Sequence, residues 1–476
     1  MSVNRIRQSA LVAASQVTCE GLGLLRNIIL ARALGPEQMG ILATLAVTLS
    51  LLDMVSDFGP DRLLIQAEDG DEPAFQATSQ FLLLIRGMVC GGLLGILAIP
   101  IAYWTGSSQI AWMIAALGLV SGLRGLMHLD GKRMQRNHDF RTSMISELAS
   151  SVLTTVVVFL AWPTLRDASA FVWISLLQAG ILVVTSHCFA SRSWQLTCDP
   201  AIARRLWKFG LPLAINSLIM FGALQGDRLV VLASATAADL GRYAIAFQLT
   251  MVPTLLVSRI ATTIFLPAFA RSQNSPVAFS QQLDQVAMAL GLISIVFVAG
   301  LTWNGNLLIG SLYGPHFQLS PAVMSCLVVM QGLRILRTLP SLVALSRADS
   351  LNPLASNLLR LVGIAAAAIV GLGGWGLAAI AAAGCAGELV ALAGSAWLLQ
   401  SRQKINPAAI WINLGLFGVV SSAVWLTTGS TSHITQFVGV FTVISVLIIA
   451  VARILLSCRF EGQLGPLPSQ IQQKAS

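Results

Sequence analysis

The stretch Leu290-Gly-Leu-Ile-Ser-Ile-Val-Phe-Val-Ala-Gly300 contains no charged residue. Comparable stretches occur at Gln178–Ala190 and Val438–Val451, and the pattern recurs along the chain up to residue 456. A soluble protein cannot hide this many apolar helices in one core, whereas about 20 apolar helical residues cross the hydrocarbon layer of a bilayer. The sequence therefore predicts an all-α, polytopic membrane helix bundle.

The composition supports the same class of protein. Of the 476 residues, 55% are hydrophobic and 10% are charged, and the mean hydropathy is +0.77, whereas soluble domains carry roughly 25% charged residues. The net charge of +9 is scattered between apolar stretches, without the basic face that a nucleic-acid-binding protein needs. The seven cysteines have no metal-ligand spacing, so we predict no metal site.

The apolar stretches divide into about 14 predicted helices. Arg and Lys collect in alternate connecting loops, for example at Lys132–Arg141 and Arg192–Lys208. The positive-inside rule then places both termini in the cytoplasm. The loop 65–78 breaks the pattern because it is acidic, and its role cannot be assigned from the sequence. The predicted spans are 9–33, 39–64, 79–103, 108–128, 141–162, 169–190, 208–233, 241–266, 285–312, 321–346, 353–372, 376–399, 408–427 and 435–456.

Two halves of the chain resemble each other. The turns Leu34–Gly40 and Ala235–Tyr243 each place an acidic residue shortly before a glycine that opens a helix. An even number of helices per half predicts a parallel repeat about an axis along the membrane normal. We therefore predict an N-terminal lobe over 1–200 (helices one to six), a C-terminal lobe over 201–400 (helices seven to twelve), and two extra helices with a cytoplasmic tail over 401–476. A short interfacial helix is expected at Ala201–Lys208.

Several motifs occur in an order typical of one transporter family. They are Leu34-Gly-Pro-Glu-Gln-Met-Gly40, then Asp57-Phe-Gly-Pro-Asp-Arg-Leu-Leu-Ile-Gln66, Pro212 with Asp227, Gly241-Arg-Tyr243, and Gly373–Ala381 followed by Glu388. Together they resemble the polysaccharide-transport (oligosaccharide flippase) branch of the multidrug/oligosaccharidyl-lipid/polysaccharide exporter superfamily.

That resemblance implies two six-helix lobes around a central cavity, with two additional C-terminal helices. It implies that a lipid-linked oligosaccharide, anchored through a polyprenyl phosphate, moves from the cytoplasmic to the outer leaflet of the cell (inner) membrane by alternating access. The glycan would be of the O-antigen, capsule or exopolysaccharide type. The implied partners are membrane lipids and the polysaccharide polymerase and glycosyltransferases of the same pathway.

Arginines inside the predicted helices are candidates for binding the anionic headgroup. An ionisable side chain at mid-bilayer costs about 2.5 kcal/mol or more, so those present usually face a cavity or a partner. Guanidinium is always charged and binds phosphate oxygens through two parallel bonds. Arg334 and Arg337 are three residues apart and share one helix face. The remaining candidates are Arg26, Arg228, Arg259 and Arg360. Alternatively, each arginine is neutralised by an acid or reaches the interface.

Acidic residues inside the helices are candidates for ion coupling or gating. Asp53 and Asp57 are four residues apart on one helix face, and two close carboxylates in a low dielectric can share a proton. Alternatively, these two acids pair with Arg26 or Arg228. Further coupling candidates are Asp227, Glu20 and Glu388. Since no phosphate-binding GxxxxGK[ST] loop occurs, we predict no cofactor and expect a proton or sodium gradient to drive transport.

Two other functions remain open. A multidrug-type small-molecule cation antiporter would need a cavity rich in acidic and aromatic groups, but arginine dominates here and aromatic residues make up only 7%. A membrane glycan ligase or polymerase would usually carry a large polar outer loop, which the sequence lacks. We therefore predict a transporter and not an enzyme.

Overall fold

A computed structural model of the chain describes residues 3–56, 58–104, 108–429 and five positions between 439 and 446. These residues form helices and connecting loops, without a β-strand in the part described. The α-helices are α1 (Val3–Val55), α2 (Pro60–Gln66), α3 (Pro73–Trp104), α4 (Gln109–Gly125), α5 (Asp130–Met134), α6 (Arg141–Leu160), α7 (Ser169–Cys188), α8 (Pro200–Ser234), α9 (Ala237–Ser272), α10 (Pro276–Leu312), α11 (Pro321–Ser346), α12 (Leu351–Leu372), α13 (Gly376–Gln403) and α14 (Ala408–Gly429).

Eleven helices of the described residues are long and apolar enough to cross a membrane, or twelve if α4 and the segment after its 50° bend form one span. Their large apolar side chains are often exposed; Ile96 and Ile99 of α3 are both 73% exposed. Such surfaces suit contact with lipid and not with water. The predicted polytopic, all-α membrane fold is confirmed.

The predicted helix count differs from this number for identifiable reasons. The predicted helix 9–33 lies in the first arm of α1, which breaks at Gly35 (φ 76°, ψ 174°). Glycine adopts a positive φ without steric cost, and Pro36 removes a backbone donor directly after it. The predicted helix 39–64 is wrong as one element, because it covers the second arm of α1, which ends at Val55, and most of the separate helix α2. The predicted helix 435–456 lies outside the described residues except for the five positions named above.

The predicted short interfacial helix at Ala201–Lys208 is wrong as a separate element. These residues form the first two turns of α8, a continuous helix of 35 residues. Asp199 starts that helix, because its side chain accepts hydrogen bonds from the backbone amides of Ala201 (2.8 Å) and Ile202 (3.2 Å). An N-cap of this kind satisfies amides that have no partner inside the helix.

The chain forms two compact units. Unit 1 comprises Met1–Ala244 and Gly310–Phe317, and unit 2 comprises Ile245–Ile309 and Gln318–Ser476. In unit 1, α3 packs against α4, and α1 packs against α6 and α8; in unit 2, α11 and α12 both pack against α13. These units group residues by contact, whereas the lobes 1–200 and 201–400 and the segment 401–476 are defined by the sequence repeat. That division stays a prediction.

The two turns that the sequence matched contact each other inside unit 1. A Cβ atom added at Gly40 would lie 1.7 Å from the carbonyl oxygen of Ala237, and one added at Gly241 would lie 2.1 Å from that of Pro36. Each glycine thus packs on the backbone of the other turn. A reciprocal contact of this kind is expected of two repeats related by an approximate two-fold axis.

Candidate functional site

Three of the predicted arginines converge on one predicted acid in unit 2. Arg334 and Arg337 of α11 and Arg360 of α12 surround the carboxylate of Glu388 in α13. The Nε atom of Arg360 lies 2.6 Å from Oε1 of Glu388, the Nε atom of Arg337 lies 3.3 Å from Oε2, and Arg334 donates a hydrogen bond to Oε1. We call these four residues the arginine cluster.

A close helix crossing positions two members of the arginine cluster. A Cβ atom added at Gly363 of α12 would lie 2.5 Å from Cα of Gly387, and one added at Gly387 of α13 would lie 2.7 Å from Cα of Gly363. Arg360 is one helical turn before the first glycine, and Glu388 follows the second. Because only glycines permit this backbone approach, the crossing brings the guanidinium and the carboxylate together inside the protein.

The arginine cluster carries excess positive charge in a buried place. Glu388 is fully buried, and the arginine side chains are at most 15% exposed. One carboxylate against three guanidinium groups leaves a net charge of +2 on these four side chains. Removing charges from water is costly unless each one is compensated. The arginine cluster is therefore suited to accept a further anion.

Neutral groups complete part of the surroundings. Nη1 of Arg337 donates to Oγ of Ser356 (3.0 Å) and Nη1 of Arg334 donates to Oε1 of Gln331 (3.2 Å). The ring of Phe247 lies 5.5 Å from the Arg334 guanidinium carbon. Nε of Arg337 lies near Glu388 without hydrogen-bond alignment, and Nε2 of Gln331 has no hydrogen-bond partner in the described part of the chain. Both are buried donors that an anion could engage.

The other predicted headgroup arginines lie elsewhere. Arg26 and Arg228 belong to unit 1, where Nη1 of Arg26 donates to Oε1 of Gln178 (3.3 Å) and Nη1 of Arg228 donates to Oε1 of Gln225 (2.8 Å). Arg259 belongs to unit 2, and its side chain is exposed. The structure thus gathers three of the six candidates, and the role of all six stays a prediction.

The predicted coupling acids have different partners from those expected. Asp53 pairs with Arg124 of α4 and not with Arg26 or Arg228, and Asp57 lies outside the described residues. The hydroxyl of the buried Tyr243 donates to Oδ2 of Asp227 (3.1 Å).

Glu20 is exposed on α1, and Glu388 belongs to the arginine cluster. The coupling role of all five acids stays a prediction.

The acidic loop between α2 and α3 binds arginines of α5, of the short segment that follows α5, and of the start of α8, all within unit 1. The carboxylate of Asp71 accepts a hydrogen bond from Nη1 of Arg133 (2.8 Å), and Asp69 accepts two from Arg205 (2.8 and 2.9 Å). The hydrogen bond from Arg133 holds the pKa of Asp71 below its ordinary value. Arg136 donates to the carbonyl oxygens at the end of α2, including that of Leu64 (3.0 Å). The acidic loop therefore has an electrostatic docking role that the sequence did not reveal.

Two arginines that were not predicted as site residues bind the segment Gly310–Phe317 within unit 1. Nε of Arg32 donates to the carbonyl oxygen of Leu312 (2.7 Å), and Nε of Arg242 donates to that of His316 (3.0 Å). The carbonyl oxygen of Leu312 lies at the end of α10, where helical partners run out, and that of His316 lies in the short 3-10 helix Pro315–Phe317 that follows. Nothing in the sequence distinguishes these two residues from other arginines at helix ends.

Comparison with known proteins places this arrangement in a family. Residues 29–321 match the family described as "Polysaccharide biosynthesis protein". Lipopolysaccharide biosynthesis protein WzxC of Escherichia coli (strain K12) is 24% identical over 328 residues, which cover 68% of this chain and 66% of that protein. Teichuronic acid biosynthesis protein TuaB of Bacillus subtilis (strain 168) is 21% identical over 387 residues, covering 79% of each. The match thus spans just under two thirds of the length of WzxC.

Solved structures share the fold. An inward closed conformation of the lipid II flippase MurJ superimposes with a TM-score of 0.70 at 14% identity, covering 93% of this chain and 98% of that one. An inward-facing multidrug resistance transporter of the MATE family, in the MOP superfamily, gives a TM-score of 0.59 at 15% identity, covering 81% and 95%. The predicted resemblance is confirmed, and the chain belongs to the polysaccharide biosynthesis protein family.

Proposed function

We propose that this protein is a flippase that moves a lipid-linked oligosaccharide from the cytoplasmic to the outer leaflet of the cell (inner) membrane. The observation that carries the proposal is the arginine cluster: three buried guanidinium groups share the single carboxylate of Glu388. The names of the relatives, which include a succinoglycan biosynthesis transport protein of Rhizobium meliloti (strain 1021), support a role in surface polysaccharide synthesis.

The chemistry of the substrate fits the arginine cluster. A polyprenyl-linked glycan carries its charge on a phosphate or pyrophosphate, and guanidinium groups bind phosphate oxygens through paired, charge-assisted hydrogen bonds. Glu388 neutralises one arginine and aligns the other two, so that the headgroup meets preorganised donors. Arg26, Arg228 and Arg259 are proposed as further contacts along the path. The polyprenyl chain stays in the apolar layer while the headgroup crosses by alternating access.

Energy for transport is proposed to come from a proton or sodium gradient. Asp53, Asp57, Asp227, Glu20 and Glu388 are the acids proposed to couple or gate the cycle. Among the described acids, Glu388 is the one paired with three arginines, which suits a role in organising the binding site. Both termini are proposed to lie in the cytoplasm, where the glycosyltransferases of the pathway would act, and the polymerase would receive the exported glycan.

A multidrug-type cation antiporter is the second candidate, because a MATE transporter shares the fold. A fold shared at 15% identity does not transfer substrate choice. The arginine cluster argues against a cationic substrate, since a buried net charge of +2 repels cations. A glycan ligase or polymerase is less consistent still, because the proposed site binds an anion and offers no acid–base pair for catalysis.

Complementation with glycan staining tests the proposal in a strain that lacks its own polysaccharide exporter. Arg337→Gln removes the arginine with the longest contact to Glu388 and leaves two guanidinium groups to neutralise it. We expect normal protein levels with surface glycan reduced at least about tenfold, the effect of about 1.4 kcal/mol. Arg402→Gln is the matched control, because this arginine is half exposed and pairs with Asp349 at the end of α13.

Two outcomes would contradict the proposal. Normal surface glycan with Arg337→Gln, at wild-type protein levels, would remove the headgroup role of the arginine cluster. Resistance to cationic drugs conferred by the wild-type protein, without any change in surface glycan, would favour the antiporter instead.

A further inference from the structure

An apolar groove runs along one side of unit 1. Its volume is about 310 Å³, and it lies between the end of α1, the middle of α3 and the start of α8. Leu52 of α1, Leu83 and Leu93 of α3, and Leu206 and Trp207 of α8 contribute to its walls. Neither the predicted headgroup site nor the docked acidic loop uses this groove.

The groove opens toward the surface that faces lipid. Ile85, Val89 and Leu93 follow one another at intervals of four residues on one face of α3, and between 41% and 54% of each is exposed. Trp207 at the start of α8 is 52% exposed, and its ring lies 4.5 Å from that of Phe58. Exposed tryptophan is typical of the membrane–water interface. The groove therefore begins near an interface and continues into the apolar layer.

A second cavity of about 240 Å³ adjoins the groove, and both charged and apolar residues line it; we call it the chamber. Ser56, Arg86 and Cys90 line both spaces, and Asp53 and Arg124 line the chamber alone. Nε of Arg86 donates to Oγ of Ser56 (2.9 Å), and Nη2 of Arg86 donates to the carbonyl oxygen of Asp53 (3.2 Å). Arg124 pairs with the Asp53 carboxylate. The guanidinium groups of Arg86 and Arg124 thus both line the chamber next to the apolar groove.

The charges in the chamber select the class of ligand. Among the described residues that line it, two arginines and one aspartate give a net charge of +1. The phosphodiester of an anionic phospholipid carries one negative charge and would balance it, whereas a pyrophosphate diester carries two. Arg124 is 41% exposed and Asp53 is 30% exposed, so the chamber is open enough to admit a headgroup. One acyl chain of the same lipid would then occupy the groove.

We propose that unit 1 binds one anionic glycerophospholipid, with its phosphodiester at Arg86 and Arg124 and one acyl chain along Ile85, Val89 and Leu93. The site is separate from the arginine cluster in unit 2 and does not depend on the substrate proposed above. Its occupant is a lipid of the bilayer that serves as a bound structural ligand and is not transported.

Native mass spectrometry of the full-length protein in a neutral detergent tests the site. Dioleoyl phosphatidylglycerol and dioleoyl phosphatidylcholine are added separately, and the bound fraction is measured against lipid concentration. We expect phosphatidylglycerol to bind at least about tenfold more tightly than phosphatidylcholine. The double variant Arg86→Gln/Arg124→Gln should lose that preference. Arg402→Gln, which changes a half-exposed arginine outside the groove, should keep that preference.

Two further variants separate binding from folding. Asp53→Asn removes the one negative charge of the described chamber lining and should tighten phosphatidylglycerol binding, whereas a merely structural Asp53–Arg124 pair predicts weaker binding or loss of protein. Val89→Trp should fill the groove and weaken binding. Ile96→Trp is its matched control, because Ile96 is exposed on the same helix and does not line the groove.

Three results would overturn the proposal. The first is equal binding of both phospholipids to the wild-type protein. The second is weaker phosphatidylglycerol binding by Asp53→Asn. The third is tighter competition by undecaprenyl pyrophosphate than by phosphatidylglycerol, which would assign the site to the transported lipid.

Discussion

Glu388→Gln is the substitution for which the structure predicts the largest effect on stability. The change removes the negative charge on which Arg334, Arg337 and Arg360 converge, while it preserves the size of the side chain. Three guanidinium groups, each at most 15% exposed, would then repel one another without compensation. Removing one partner of a buried ion pair typically costs about 3–5 kcal/mol.

The electrostatics of the arginine cluster place Glu388→Gln at the upper end of that range. Opposite charges about 4 Å apart attract by about 4 kcal/mol at an effective dielectric constant of 20, and Glu388 has three such partners. The assay heats the purified protein in detergent and measures the fraction that remains monodisperse on size-exclusion chromatography. Glu37→Gln, at an exposed position of α1, is the control and should change stability by no more than about 0.5 kcal/mol.

A second substitution tests whether the effect arises from charge. Adding Arg334→Gln to Glu388→Gln removes one of the three repelling groups, so the double variant should recover part of the lost stability. Non-additivity of this kind is the signature of a direct interaction. Two results would show that the carboxylate does not organise the arginine cluster. One is a melting temperature of Glu388→Gln equal to that of the Glu37→Gln control, and the other is a double variant less stable than Glu388→Gln.

The remaining predictions concern packing and loop docking. Gly387→Ala should lower the free energy of unfolding by about 1–3 kcal/mol, because the new Cβ would meet backbone atoms of α12. Gly384→Ala is the control, because its Cβ would meet only the sulfur of a flexible methionine. Thermal stability in detergent should distinguish the two variants. Gly241→Ala should likewise lower stability because its Cβ would lie 2.1 Å from the carbonyl oxygen of Pro36, and an unchanged melting temperature would refute the contact. Asp71 has a lowered pKa, so its stabilising contribution is present above its unfolded pKa of about 3.9 and is lost as pH falls through the folded value. The backbone amides of the loop 67–72 should therefore be equally protected from hydrogen exchange between pH 5 and 8, after correction for intrinsic rates. Asp71→Asn should increase their exchange rates throughout this pH range.

The docking of the acidic loop explains an apparent exception in the sequence. The loop that contains the acidic residues at 68–72 is predicted to lie on the cytoplasmic side, where the other loops are rich in Arg and Lys. In the structure the carboxylates of Asp71 and Asp69 pair with Arg133 of α5 and Arg205 of α8, which belong to the same unit. Acidic residues also contribute little to the positive-inside rule, so this loop does not overturn the predicted orientation.

The arginine cluster shows how far the sequence could lead to the candidate site. Spacing alone placed Arg334 and Arg337 on one face of a helix, and composition singled out charged residues inside apolar spans. The sequence could not show that both arginines, together with Arg360, share Glu388. That convergence depends on the crossing of α12 and α13 at Gly363 and Gly387. This is a contact between two different helices, which the local sequence pattern of neither helix predicts.

The apolar stretches were enough to predict a polytopic helical membrane protein, because such stretches satisfy their own backbone hydrogen bonds as helices and match the thickness of a bilayer. Most of the described spans could be located from the same local property, whereas the breaks and exact ends of the helices could not. The pairing of charges became known from the packing of the helices: Asp53 pairs with Arg124, Asp71 with Arg133, and Glu388 with three arginines. Pairing of buried charges depends on distances of a few ångströms between helices, and those distances are set by how the helices pack.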